Sequence, residues 1–261
     1  MSEAVGSKEE VSALARGLAL LKMIGMSGGP MGNRELADTT GIPKATVSRL
    51  TATLVGAGYL RQSQDSERFS LGPALLDMSS RYLRHFDLRT VARPHLSELS
   101  EFAGASVHIG VCDELDVLVI DSLRPRSAVI SSRIEVGTRM AIVTSAGGRA
   151  YLAALPADEQ ATLLDKIRLE SGENWPSVEP RLMAGLEEYA REGYCSSFGE
   201  WHPHIHALGF ALDGPRGERY AVSCGGPAYL LPREVMLTRV APHLLVTAKR
   251  IAAEVGTGSN G

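Results

Sequence analysis

Breakers and a change of period in the first 71 residues constrain this chain more than any other feature. Val11, Leu14, Ala15, Leu18 and Leu21 recur at helical spacing, and the run stops at Ser27-Gly28-Gly29-Pro30. A short piece follows, Arg34-Glu35-Leu36-Ala37-Asp38, with Asn33 placed to cap its start. It closes at a tight turn, Thr40-Gly41-Ile42. Pro43 then suits the first position of a new helix, where its missing N–H is no loss. That helix is expected over residues 44–55, ended by Gly56 and Gly58. Ala45, Val47, Leu50 and Leu54 form its apolar stripe, with Lys44, Thr46, Ser48, Arg49, Thr51 and Thr53 exposed around it. Beyond Gly58 the period falls to two. Residues 59–62 and 68–71 alternate as strands around the polar tip Ser63-Gln64-Asp65-Ser66-Glu67.

Helix, short helix, tight turn, helix, hairpin is the order of a winged helix-turn-helix, in which the helix after the turn enters the major groove of DNA. The charge pattern is compatible with that reading. The net charge of −3 excludes a protein that coats nucleic acid wholesale, but leaves room for a local basic face. Between Asp38 and Asp65 there is no carboxylate, while Lys44, Arg49 and Arg61 fall inside the gap. Such a gap arises by chance or because the face approaches phosphate. Arg61 and Arg68 flank the hairpin and are expected to touch phosphate there. Thr46 and Ser48, near the helix start, are placed to reach base edges.

The chain has 261 residues, enough for one large or two ordinary domains. With 44% hydrophobic residues it can bury a core without disulfides or structural metal. Cys112, Cys195 and Cys224, an odd and scattered set, fit a reducing cytoplasm. The N-terminal stretch lacks an apolar signal core, and no apolar run approaches the roughly 20 residues of a membrane helix. Helices are expected over residues 73–90, 94–102, 148–155, 157–167 and 181–192, with a terminal helix over 233–254 kinked near Pro242. β-rich runs lie at 107–111, 117–121, Ala128-Val129-Ile130 and 220–224. The interleaving predicts a multi-domain α/β protein.

Residues 13–71 resemble the DNA-binding domain of the IclR family of bacterial transcription regulators. The matching stretches are Arg16-Gly17-Leu18-Ala19-Leu20-Leu21, Asn33-Arg34-Glu35-Leu36-Ala37 and Gly41-Ile42-Pro43-Lys44-Ala45-Thr46-Val47-Ser48-Arg49-Leu50. Gly58-Tyr59-Leu60 and Phe69-Ser70-Leu71-Gly72 complete them. The likeness continues through Gly137, Ser145-Ala146-Gly147-Gly148-Arg149-Ala150, Gly193-Tyr194, Asp213 and the run from Ala221 to Pro227. It implies a winged helix-turn-helix over residues 8–72, a linker helix over 73–90 and a GAF-like effector-binding domain over 91–256. It further implies a homodimer or homotetramer, cytoplasmic and without cofactor. Such a protein binds an operator in double-stranded DNA and a small-molecule effector, and does not act as an enzyme.

The resemblance also places a small carboxylate or related metabolite against Ala146, Gly147, Gly148, Ser223 and Gly225. Independently, small residues at the start of a helix let backbone N–H groups approach an anion, though the loop reads equally as an ordinary cap. Many family members carry Ser at the position of Gly225 and Lys at that of Arg149. Phe210 stands where the family has Pro or Cys on the pocket wall, and with Trp201 favours a flat ring. His202, His204 and His206 would share one face of a strand. Three readings stay open for them: ligand contacts, surface residues, or a Zn²⁺ site with Glu200. That last reading carries the alternative function, a metal-dependent or small-molecule-converting enzyme. Phosphate loops, His-Glu-x-x-His and Cys-x-x-Cys are missing from the sequence. Cys112 near His108 reads as core.

Overall fold

The computed structural model describes residues 12–84, 88–126 and 134–258. Two compact units divide between His85 and Phe86. Val11, the linker residues 85–87 and the expected strand Ala128-Val129-Ile130 lie outside the described residues.

The first unit holds α1 (Ser12–Met26), α2 (Asn33–Thr40), α3 (Lys44–Gly56), the hairpin β1 (Leu60–Gln62) and β2 (Phe69–Leu71), and α4 (Pro73–Arg84). Leu20, Ile24, Met31, Leu36, Ile42, Val47, Leu60 and Phe69 form its core. Gly41, at φ +70°, lets the chain turn sharply between α2 and α3. Helix boundaries differ slightly from expectation. Gly32, not Asn33, is the cap of α2, and its N–H donates to Glu35 Oε2 at 3.3 Å. Pro43 caps α3 from outside, its carbonyl accepting from Thr46 N and Val47 N. Thr51, expected exposed, is buried; it donates to Asn33 Oδ1 at 3.1 Å and so ties α3 to α2. Ala45, expected in the apolar stripe, is exposed. Met31 pairs with Phe69 as an isolated bridge, a third strand position that the alternating pattern did not reveal.

The second unit is an α/β domain built on one antiparallel sheet. In chain order it contains α5 (Leu88–Ala103), β3 (Ser106–Asp113), β4 (Asp116–Leu123), β5 (Arg139–Ala141), α6 (Ala146–Ala154), α7 (Ala157–Ser171) and α8 (Trp175–Glu192). It continues with β6 (Cys195–Phe198), β7 (Ile205–Asp213), β8 (Arg219–Pro227), α9 (Arg233–Val235) and α10 (Ala241–Gly258). The strand order is β5-β4-β3-β8-β7-β6. Pro94 lies inside α5 rather than at its start, and α8 begins six residues before the expected 181. A π-helical turn, Met236–Val240, joins α9 to α10 just before Pro242. Pro242 lacks the N–H of a regular helix and its ring crowds the preceding turn, which accounts for the π-helical interruption at this point.

Period-two alternation sorts the sheet into two faces. Ala221, Val117 and Val119 pack with Ile142, Leu152, Ile167 and Leu182 beneath α6, α7 and α8. On the opposite face, Val107, Ile109, Leu208, Phe210 and Val222 are buried on the side of α5 and α10. Helix α6 approaches β7 closely because position 209 carries no side chain. A Cβ at Gly209 would lie 2.3 Å from the Ala146 carbonyl carbon and 2.4 Å from Gly147 N, both backbone atoms that cannot step aside. Gly209→Ala is therefore expected to destabilise this domain by about 1–3 kcal/mol, the usual penalty of overpacking. The second unit's urea unfolding midpoint reads this directly, and an unchanged midpoint would refute the close seating of α6.

Candidate functional site

On the first unit, α3 turns Lys44, Ser48 and Arg49 to solvent, with Thr46 half-buried. No carboxylate lies on this helix. Arg61, on β1, is exposed beside it in sequence on the wing. Arg68 behaves differently. Its Nε and Nη2 donate to the Pro30 carbonyl at 2.9 and 2.7 Å, and Nη2 also donates to Glu35 Oε2 at 2.7 Å. The guanidinium expected on phosphate is engaged within the protein, where it ties the wing to the start of α2.

On the second unit, strand register assembles a cavity between the sheet and the start of α6. One cross-sheet row runs Ser197, Ala207, Gly225, Ser106. The adjacent row runs Cys195, Gly209, Ser223, His108, Ser122. The first row carries at most one heavy atom beyond Cβ, so it makes a low, flat floor. A Cβ on Gly225 would meet the His206 carbonyl and Ala207 Cβ at 2.7 Å, so this position leaves no room for a side chain. Ser145, Ala146, Ile134, Met140, Trp201 and Ile205 complete the lining of this narrow cavity.

Ser145 caps α6. Its Oγ accepts from Gly148 N at 3.2 Å and donates to the Ala141 carbonyl at 2.8 Å. Ser197 Oγ donates to the Thr144 carbonyl at 2.8 Å. The helix N-terminus thus opens on the cavity with its partial positive charge. Arg149 braces the wall from behind. Its Nε donates to the Val143 carbonyl at 2.9 Å, Nη1 to the Ser196 carbonyl at 3.1 Å, and Nη2 pairs with Glu200. Glu200 adjoins Trp201, so this buried arginine anchors the loop that carries the indole over the cavity. Burial, and secondarily the charge of Arg124, lowers the His108 pKa to about 4, leaving a neutral imidazole in the wall.

Of the residues expected at the ligand, Ala146, Ser223, Gly225 and Trp201 line this cavity. Gly147 and Gly148 instead serve packing: a Cβ on Gly148 would meet Ile142 Cα at 2.6 Å, and one on Gly147 the Val222 carbonyl at 3.3 Å. Phe210 and His206 belong to the other face, since even-numbered positions of β7 point away from α6. Phe210 is fully buried there, and His206 Nδ1 meets the Leu231 carbonyl at 2.8 Å. His202 and His204 precede β7 and are exposed, so the three histidines share no strand face. Among the described residues, no cluster of three His, Cys, Asp or Glu could hold a metal. Of the other lining residues, Ser145 belongs to the loop singled out in the sequence, whereas His108, Ser106, Ser197, Met140 and Ile134 come together only through long-range pairing and packing that leave no local signal. Burial raises the thiol pKa of Cys112, Cys195 and Cys224, the last to about 12, which suits inert core cysteines rather than a nucleophile. No helix among the described residues is long and apolar enough to cross a membrane.

Comparison with known proteins agrees with this architecture. Residues 13–64 match the IclR helix-turn-helix domain, and residues 80–253 match the C-terminal domain of the bacterial transcriptional regulator IclR. The HTH-type transcriptional regulator TsaQ1/TsaQ2 of Comamonas testosteroni is 31% identical over 248 residues, covering 94% of this chain and 88% of that protein. An IclR family transcriptional regulator from Brucella abortus superposes with a TM-score of 0.86 at 34% identity, over 97% of this chain and 96% of the other. An IclR homologue of Microbacterium hydrocarbonoxydans, solved with 4-hydroxybenzoate, shares the fold at 20% identity and a TM-score of 0.74, over 94% and 99% of the two chains. Winged helix-turn-helix, sheet-based effector domain and sequence likeness along nearly the whole length together establish that the chain belongs to the IclR family of transcription regulators, not to an enzyme family.

Proposed function

We propose that the protein binds an operator as a two-fold assembly, a dimer or a dimer of dimers, and controls transcription of a catabolic operon in response to a small ring-bearing carboxylic acid. The observation that carries the DNA half is the outer face of α3. Lys44, Ser48 and Arg49 are exposed there, in a stretch of chain without carboxylates from Asp38 to Asp65. In this reading α3 lies in the major groove, Lys44 and Arg49 meet phosphate, Thr46 and Ser48 reach base edges, and Arg61 follows the backbone. One recognition helix reads only a half-site, so two-fold pairing doubles the contact. Leu14 and Leu18 on α1 and Leu76 and Tyr82 on α4 remain exposed and apolar, and offer association surface.

The ligand half is carried by the flat floor Ser197-Ala207-Gly225-Ser106 facing Trp201. A planar ring would lie flat between that floor and the indole, and an ionised carboxylate would gain from the N-terminus of α6. The relative solved with 4-hydroxybenzoate makes a ring acid the natural first probe. The lining is dominated by apolar groups and small hydroxyls.

Arg49→Ala is expected to weaken operator binding and to reduce the slope of log K against log salt by about one unit, as loss of one phosphate contact requires. Fluorescence anisotropy across a salt series measures both, and unchanged affinity at physiological salt would displace α3 from the groove. In calorimetry, benzoate-type acids should bind more tightly than pyruvate or glyoxylate. Trp201→Ala should cost the ring acids about tenfold in affinity, the order of one aromatic contact. Tighter binding of pyruvate would reject the ring reading.

A further inference from the structure

One polar atom in the cavity wall lacks a protein partner. His108 Nδ1 is buried and makes no hydrogen bond among the described residues. The residue is only 5% exposed, yet it lines the cavity. A buried imidazole nitrogen with no partner is unfavourable in the ligand-free protein, and a ligand that reaches it removes that penalty.

What the lining offers bears on the ligand atom that suits it. Ser145 Oγ and Ser197 Oγ both give their protons to backbone carbonyls, Ala141 and Thr144. Toward the cavity these hydroxyls therefore present oxygen lone pairs. His108 stays neutral at physiological pH, and the nearby charge of Arg124 opposes its protonation. A neutral ring protonated on Nε2 offers a lone pair on Nδ1. With the proton on Nε2, His108 needs a donor from the ligand, and an ionised carboxylate, itself only an acceptor, cannot supply one.

We infer that His108 is a specificity-determining residue of the effector site, its Nδ1 accepting a hydrogen bond from a hydroxyl or N–H group that the effector carries besides its acidic group. The inference rests on the ring-acid reading above and sharpens it: the effector is a hydroxylated or amino-substituted ring acid rather than a bare one. Sites built to pair a substrate hydroxyl discriminate strongly against analogues that lack it, because their own polar groups are then left unpaired.

The test is calorimetry of the full chain with benzoate and its 2-, 3- and 4-hydroxy isomers. At least one isomer is expected to bind the parent about tenfold or more tightly than benzoate. In His108→Phe, which keeps a ring but loses the acceptor, that ratio should fall toward one. His108→Gln, whose amide oxygen can still accept, should keep part of it, and melting curves of both variants establish that they fold. The imidazole ¹⁵N shifts of the parent report the same contact without mutation: the Nδ1 resonance should move on binding of the preferred isomer and stay in place with benzoate. Equal binding of all four acids by the parent, or a preference that survives in folded His108→Phe, overturns the inference while the ring-acid reading stands. If none of the four binds the parent, the ring-acid reading itself falls, and the inference with it.

Discussion

The absence of a side chain at position 209 organises the effector domain. Only there can α6 rest on β7 with its first backbone atoms where a Cβ would otherwise sit. That contact fixes where the helix N-terminus emerges and how high the cavity roof stands above Ser223 and Gly225. Arg149, one turn into the same helix, then reaches back to Val143, Ser196 and Glu200. A lysine could not make these contacts together, since they use the planar fork of a guanidinium. The helix, the β6 edge and the Trp201 loop are thus held by one side chain. Removing either partner of such a buried pair leaves an uncompensated charge, at a typical cost of about 3–5 kcal/mol.

The DNA-binding unit depends on comparable cross-braces. Arg68 links the wing to the Pro30 carbonyl and to Glu35, which also receives the Gly32 N–H at the start of α2. Thr51 on α3 meets Asn33 on α2. Met31 adds a bridge to Phe69. Each contact joins the turn region to a different neighbour, so the pose of α3 is set from the wing, from α2 and from the core at once. Arg68 is about half exposed, so its worth lies in orientation more than in stability.

Local chemistry made much of this legible. Gly28, Gly41, Pro43 and Gly58 punctuate the first unit so strongly that the element order follows from them. The same reasoning failed where a non-local pairing decided the matter. His202, His204 and His206 have strand spacing, but β7 begins only at Ile205, so two of them lie in a turn. Phe210 and His206 are an odd number of residues from Gly209, and that parity sends them to the face opposite α6. His108 was read as core and is indeed buried, but its register with Ser223 also makes it cavity wall. A sequence shows alternation within a strand; it does not show which face its neighbours will share, because β3 meets β8 across more than a hundred residues.

On the function proposed above, occupancy of the cavity beneath α6 and operator binding by α3 form one coupled equilibrium. Coupling is reciprocal: an effector that changes operator affinity by some factor must have its own affinity changed by that same factor when operator is bound. Both halves of this cycle can be measured on the full chain, using a DNA fragment selected by the protein and the ring acid it binds most tightly. Two equal factors of about fivefold or more are expected. Operator affinity indifferent to a saturating ring acid that demonstrably occupies the cavity would contradict that coupling.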